Sequence, residues 1–401
     1  MNPRFIEEMG WRMGEVYAAV TDRILINLAH HFPFVKEGKH IGSWDYMVQK
    51  LAEMGQVSRE TEAIIIESLA GGDEALKGVL EETIRKSLEQ VDKPLKQAAE
   101  KGLLLGQGFV PPDIAPNQMQ TFQSFYRQSA DKLNLVNTTM LESTMDLYRQ
   151  TVSDIASRID RIQGILNQTA GLVVTGVETL NNAVRDAVKK MVDVGITGFV
   201  DRGNHHWSPE AYVTMDTRTT LGNTAREAVF EQNERFGNDL FYVSWHNGAR
   251  PLCYPWQGKV IAKTGPHSTS VDGNGNKVEV YALSETTYGQ PAGLFGINCG
   301  HFAIPFVPGM SVPRQPLQDE AENAKEYAES QQQRALERQL RYEKRDLNVL
   351  KAQGASQEEI RAQREKVNRA RDNLDSFCEE TGRLRRSGRE RTPIQAHWPD
   401  E

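Results

Sequence analysis

The chain has 401 residues, enough for two or three units that each bury a core. At 39% hydrophobic and 25% charged it reads as soluble and globular, which excludes an intrinsically disordered or membrane-spanning class. Its formal charge of −7 excludes a protein that coats nucleic acid with its whole surface, because phosphate binding needs clustered Lys and Arg; a local basic patch is still allowed.

Near the start, Glu7, Glu8 and Glu15 stand where an export signal needs basic residues and then an unbroken apolar run, so no signal peptide is expected. No stretch approaches the roughly 18–20 apolar residues of a membrane span, and no membrane contact is expected. The three cysteines, Cys253, Cys299 and Cys378, cannot all pair, which fits folding in a reducing cytoplasm.

From Glu8 to His31, Met13, Tyr17, Val20, Ile24 and Leu28 recur every three or four positions, the spacing of one helix face. That helix is expected to end before Pro33. Helices follow around Trp44–Met54 and Ser58–Leu69, then from Asp73 to about Val91, stopping before Pro94. Gly102 to Gln118, rich in proline and glycine, reads as a hinge. Beyond it Leu141, Met145, Tyr148, Val152, Ile155, Ile159 and Ile162 form a heptad seam that must face another helix. Val177, Leu180, Val184, Val188 and Met191 line a further amphipathic helix, and a bundle core is the reading of both. Ser208 and Pro209 make an N-cap and first-turn signal for the next helix.

Strand formers begin at Leu240: LFYVSWH, then VIAKT, then a hairpin around Asp272-Gly273-Asn274-Gly275-Asn276, then FAIPFV, an edge strand because Pro305 cannot donate to a ladder. From Leu317 to about Arg386, Tyr327, Leu336, Leu340, Leu347 and Leu350 mark one helix. Ile360, Val367, Leu374 and Phe377 mark a second, with Gly354-Ala355-Ser356 as turn and N-cap. The expected fold class is therefore α+β and mainly helical. Its regions are an N-terminal helical region (1–110), a long-helix bundle region (111–239), a small Cys/His-containing antiparallel β module (240–313) and a charged antiparallel helical hairpin with a loose basic tail (314–401).

His246, Cys253, Cys299 and His301 are the sharpest chemical constellation. A Cys₂His₂ set can close a tetrahedral zinc site in a module with little core of its own. Against it stands the spacing, six residues between the first pair and one between the second, which matches no known finger. Three other readings of the same residues are buried thiols beside satisfied histidines, a Cys253–Cys299 disulfide that the compartment disfavours, and a Cys–His nucleophile. No papain-like or caspase-like signature surrounds either cysteine. The Asp272 loop resembles a calcium loop only in its first positions: Lys277 replaces the turn glycine and Leu283 the bidentate glutamate. No phosphate-cradling Gly-rich loop and no His-Glu-x-x-His occurs, so no cofactor other than that zinc is expected. His205 and His206 read as a surface turn, and Arg383, Arg385, Arg386, Arg389 and Arg391 as a helix end that offers a DNA contact.

The order Ser244-x-His246-x-Gly248-Ala249-Arg250-Pro251, then Trp256-Gln257-Gly258-Lys259, then Ile297-Asn298-Cys299-x-His301 and a P-x-x-P-G close, resembles the phage minor capsid protein 2 family. A looser likeness extends to Mu F-like head-morphogenesis proteins, whose Arg-Thr and Asn are matched by Arg218-Thr219 and Asn223; where those modules often carry Cys-x-x-Cys, Cys253-Tyr254-Pro255-Trp256 keeps one sulfur. The resemblance implies a structural, non-enzymatic role in a tailed-phage head. It implies phage portal and capsid proteins as partners, packaged DNA as a further contact, and residence in the virion after assembly in the host cytoplasm. It makes the motif residues framework: Arg218 holds a carbonyl or carboxylate beneath the β module, Arg250-Pro251 and Trp256-Gln257-Gly258 set the first turn, and Asn298, Cys299 and His301 set the entry of the last strand. On that footing Trp256→Ala costs roughly 3–5 kcal/mol if the ring is buried. An ejected internal head protein that binds DNA, and an enzyme using the Cys/His module, are the alternatives.

Overall fold

The computed structural model describes residues 3–34, 43–104, 116–168 and 176–392. Of the expected hinge, residues 105–115 lie outside the described residues, as do the side chains of Ile162, Val177 and Leu180. Nine helices and seven strands follow one another within those limits.

Helix α1 (Pro3–His30) buries the stripe read from its sequence: Met13, Tyr17, Val20, Ile24 and Leu28 are all sealed. Its closest neighbour is α7 (Pro209–Arg235), and two glycines set the approach. A Cβ on Gly10 would run into the Arg218 stem, and one on Gly14 into Thr214. Helix α7 starts as its sequence directs, with the Ser208 hydroxyl accepting from Ala211 N–H at 3.4 Å and Pro209 in the first turn. It is the central rod, buried on most of its circumference, and α1, α4 and α5 pack around it.

Helices α2 (Ser43–Ala52) and α3 (Met54–Leu69) lie against α5 (Pro116–Gln168), a rod of 53 residues. In α5 the heptad positions Tyr148, Val152, Ile155 and Ile159 are buried, and the Tyr148 hydroxyl donates to Lys50 O at 3.0 Å. Lys132 and Ser129 of α5 reach Asp216 of α7 at 2.5 and 3.2 Å. Helix α4 (Gly72–Glu100) does not stop at Pro94 but continues two turns past it. Proline removes one ladder bond there, yet Leu95 and Ala98 are fully buried against Val229, Phe236 and Val307, and that burial outweighs the break. Helix α6 (Gly176–Val194) seats Val184, Val188 and Met191 in the same core, which runs from Ile6 to Val349.

A two-stranded ribbon that the hydrophobic pattern did not reveal precedes α7: β1 (Phe199–Val200) against β2 (His206–Trp207). The Asp201 carboxylate holds its turn, accepting from Gly203 and His205 N–H at 2.9 Å and from Trp207 Nε1 at 3.1 Å. These bonds hold the carboxyl down to about 2. His205 and His206 are exposed, as a surface turn requires.

The small sheet has the order β5-β6-β4-β3-β7. Strands β3 (Leu240–Val243), β4 (Val260–Ala262), β5 (Ser268–Val271), β6 (Lys277–Ala282) and β7 (Ala303–Pro305) pair antiparallel except for β4 with β6, which run parallel. The strand ending in Pro305 lies at an edge, and the Asp272 turn closes the β5–β6 hairpin. Period-two alternation assigns the faces: Phe241, Val243 and Ile261 pack with Phe230 of α7, while Val260, Ala262, Val280 and Phe306 form a second cluster.

Helices α8 (Glu320–Ala352) and α9 (Gln357–Thr381) form the antiparallel hairpin. Each is opened by a capping box, on Asp319 and on Ser356, and Gly354 turns the chain between them at φ 74°. Leu340, Val367, Leu374 and Cys378 fill their seam. The hairpin is bolted to the bundle. Arg345 of α8, 7% exposed, donates to Asp22 of α1 at 2.5 Å and lies 3.7 Å from Glu210 of α7.

Candidate functional site

The motif residues converge on the face of the sheet module that meets α7 and α8. Ser244 extends the β3–β7 ladder: its N–H donates to Phe302 O at 2.9 Å and its hydroxyl accepts from Phe302 N–H at 2.8 Å. The Gln257 amide clamps His246, accepting from its N–H and donating to its C=O, both at 3.2 Å. Gly248 takes φ 63° where α8 comes close, and a Cβ there would press on Tyr327 N at 3.3 Å. Arg250 donates to Gly293 O at 3.4 Å, and its own carbonyl caps the turn by accepting from Cys253 and Tyr254 N–H at 2.9 Å. Pro251 is exposed in that turn. Trp256 is half-buried, edge-on to Tyr281, whereas Gln257 is buried. The Asn298 N–H donates to the Thr219 hydroxyl at 3.1 Å, joining the last loop to α7.

The cysteines and histidines do come together. Cys253 Sγ and Cys299 Sγ are 3.9 Å apart and unbonded, and Cys299 Sγ is 3.3 Å from His301 Nδ1. The ligand atoms of Cys253, Cys299 and His301 all lie within 4.8 Å of one another, and among the described residues no other such group of His, Cys, Asp and Glu occurs. The Cys253 thiol donates to Gly293 O at 3.4 Å, and Phe295 N–H donates to Cys299 Sγ at 3.2 Å. To aim that N–H, Phe295 sits at φ 58°, a strained position for a bulky residue. The thiol proton shared toward Cys299, with His301 beside it, holds Cys299 well below the usual thiol range; the same contact and burial push Cys253 up.

His246 is outside the triad but stacks on His301 with ring centroids 4.4 Å apart. Burial, then the neighbouring His301, push its pKa down. Each histidine is engaged through Nδ1, His246 with Asn247 O at 3.0 Å and His301 with Cys299 Sγ, while both Nε2 atoms are buried without a protein partner. Two thiols, one depressed, and an imidazole are a donor set that suits a cation such as zinc, three of the four ligands that a closed structural site takes.

Arg218 does not hold the β module. It has no hydrogen bond or ion pair among the described residues, and its Nε is a buried orphan. That role falls to Arg226, one helical turn after Asn223, whose side-chain oxygen it engages at 3.0 Å. Arg226 also donates to Phe295 O at 3.3 Å and lies over the Phe295 and Tyr288 rings. Asn223-x-x-Arg226 was the available signal, an i,i+3 pair pointing at the module. Asn323 had none: its amide pairs with Ala249 like a strand, accepting at 2.7 Å and donating at 2.8 Å.

The basic tail is docked rather than loose. Arg383 donates to Gln333 at 2.9 Å, Arg385 to Glu390 at 2.7 Å and Arg386 to Glu7 at 2.7 Å, while Arg389 pairs with Glu7. Residues Ser387–Glu390 form a 3₁₀ turn, and Arg391 is exposed just past it.

The model of the family described as phage minor capsid protein 2 matches residues 1–379, so the match takes in the helical bundle, the sheet module and almost all of the hairpin. A structural protein of Lactococcus phage LL-H is 28% identical over 300 residues, covering 74% of this chain and 75% of that protein. A structural protein of Lactococcus phage mv4 is 46% identical over 54 residues, 14% of this chain and 44% of that protein. No solved structure matches. With the family model spanning nearly its whole length, the chain belongs to the phage minor capsid protein 2 family.

Proposed function

We propose that this chain is a structural component of a tailed-phage head that joins the procapsid beside the portal and remains in the virion, without catalysing a reaction. The observation that supports it most is how the polar side chains of the module are used. Gln257, Asn323 and Arg226 spend their hydrogen bonds on backbone groups of the loops around the cysteines. Cys253 is 1% exposed and His301 6% exposed, while Cys299 is half-buried, and all three are held within this brace. Gel filtration of the full chain with the cognate portal protein tests the reading: co-elution is expected. Full yields of infectious particles lacking this polypeptide would overturn it.

Within the same reading, Cys253, Cys299 and His301 supply three of the four ligands of a structural zinc ion, and His246, whose ring centroid is 4.4 Å from that of His301, is the candidate fourth; the ion ties the first turn to the last strand. Stoichiometric zinc in protein purified without chelator is expected, and a lower Tm after its removal. Contact with packaged DNA, if the head encloses this chain, falls to Arg391 and the outer side of Arg386, because the other tail arginines face carboxylates or the Gln333 amide. Absence of binding to a DNA duplex at low salt would remove that contact.

A further inference from the structure

Between α1, α7, α8 and the C-terminal turn lies a cavity of about 320 Å³, and its charge is lopsided. Five arginines line it, Arg218, Arg334, Arg383, Arg386 and Arg389 among them from three separate stretches of chain, against two carboxylates, Glu7 and Glu326. Glu7 is taken by Arg386 and Arg389, and Glu326 lies 3.9 Å from Arg383. Arg218 and Arg334 are left with no ion pair or hydrogen bond among the described residues, and the Nε of Arg218 is buried and orphaned. Burial, together with the neighbouring guanidiniums, lowers the pKa of both.

The fold makes room for this arrangement instead of avoiding it. Gly10 is the position that admits the Arg218 stem, since any side chain there would collide with it. Two unpaired guanidiniums in a partly buried pocket repel each other, and a buried charge without a partner is costly, so the cavity as built favours an anion. The planar fork of Arg suits an oxyanion that accepts two parallel N–H bonds. A charge surplus of this size calls for a group with more than one negative charge, and the small volume admits a small molecule or a chain end but not a duplex.

We propose that this cavity is a binding site for a phosphate-class anion, held chiefly by Arg218 and Arg334, which locks the C-terminal turn onto α1 and α7. Free pyrophosphate and the 5′-phosphate of a nucleic-acid strand share this chemistry. His246, Cys299 and His301 line the same cavity, but the arginines hold the anion without them, and the site does not depend on the proposed place of the chain beside the portal.

Calorimetric titration of the full chain with pyrophosphate at low ionic strength tests the assignment, with melting followed in parallel. Saturable binding is expected, with a Tm rise larger than sodium chloride gives at matched ionic strength. Arg334→Gln and Arg218→Gln are each expected to weaken binding at least about tenfold, the loss of one charge-assisted bond pair. Arg334→Gln is expected to melt no lower than the parent in phosphate-free buffer, because it relieves repulsion. Competition by a 5′-phosphorylated trinucleotide, but not by its 5′-hydroxyl counterpart, assigns the source to a strand end; competition by neither assigns it to the free anion. Equal Tm rises in pyrophosphate and chloride, or unchanged pyrophosphate affinity in both variants while they remain folded, would overturn the proposal.

Discussion

Arg345 and Asp22 are separated by 323 positions and meet at 2.5 Å inside the protein, where each is less than 10% exposed. With Glu210 Oε1 at 3.7 Å, one guanidinium serves two buried carboxylates, and the second oxygen of each acid has no hydrogen-bond partner among the described residues. The cluster is one of several points that fasten the C-terminal hairpin to the bundle, with the Gln353 amide donating to Phe32 O at 3.2 Å and Lys189 lying 3.5 Å from Asp346.

Removing that guanidinium strands two buried charges. Arg345→Met is expected to lower unfolding free energy by about 3–5 kcal/mol at pH 7 in urea titrations. Burial already raises the pKa of Asp22, so the variant can recover by binding a proton, and the penalty should shrink as pH falls. A penalty that is constant with pH would show that lost packing, not stranded charge, is the cause.

The first turn of the sheet module offers a ranking that size alone would invert. Trp256 is half-buried, so the expectation for a fully buried ring does not apply, and Trp256→Ala should cost only about 1–2 kcal/mol. Gln257→Ala unpairs both the N–H and the C=O of His246 and should cost about 2–4 kcal/mol. Thermal melts of the two variants give the order directly.

Glycine is needed at Gly258 for two reasons and at Gly275 for one. Both have positive φ, 71° and 84°, but a Cβ on Gly258 would meet Gln315 Oε1 at 2.8 Å and Arg314 O at 2.9 Å, while nothing lies near Gly275. Gly275→Ala should therefore cost about 1–2 kcal/mol from backbone strain, and Gly258→Ala about 2–5 kcal/mol from strain and overpacking together. Equal losses in chemical denaturation would mean that the segment around Gln315 yields without cost.

Burial raises the carboxyl of Glu15 from 4.5 to about 7, even with Arg391 and Arg12 opposing it. Between those values the folded chain holds a proton that the unfolded chain has lost, so the contribution of this group to stability is full below pH 4.5 and lost as pH rises through 7. Glu15→Gln should leave stability unchanged at pH 4 and raise it by about 1–2 kcal/mol at pH 8, allowing for partial solvent screening. Urea midpoints at the two pH values check the sign.

Much of the fold was legible because its signals are local. The stripe of α1, the Ser208 cap, the Asp272 hairpin and the Gly354-Ala355-Ser356 turn each follow from residues within a few positions of one another. The extension of α4 past Pro94 was not, since it depends on Val229 and Val307, which no local pattern connects to Leu95. The same limit applied to the site. The motif residues around Cys253 and Cys299 could be named from their order, but the gathering of sulfur and imidazole needs the sheet. The exchange of roles between Arg218 and Arg226 turns on which side of α7 faces the module. Charge in the tail misled for a related reason, because the carboxylate that meets Arg386 and Arg389 is on the first helix.

That last contact bears on the order in which the molecule can be completed. Glu7 leaves the ribosome long before Arg386 and Arg389, so α1 waits through most of translation with its acidic edge unmatched and its face toward α8 open. Closing so long a loop comes late and slowly, after nearer pairings have formed. A nascent chain of this kind stays adhesive until its closing segment arrives, a vulnerable interval during which chaperones, or neighbouring assembly subunits, would find the most to hold.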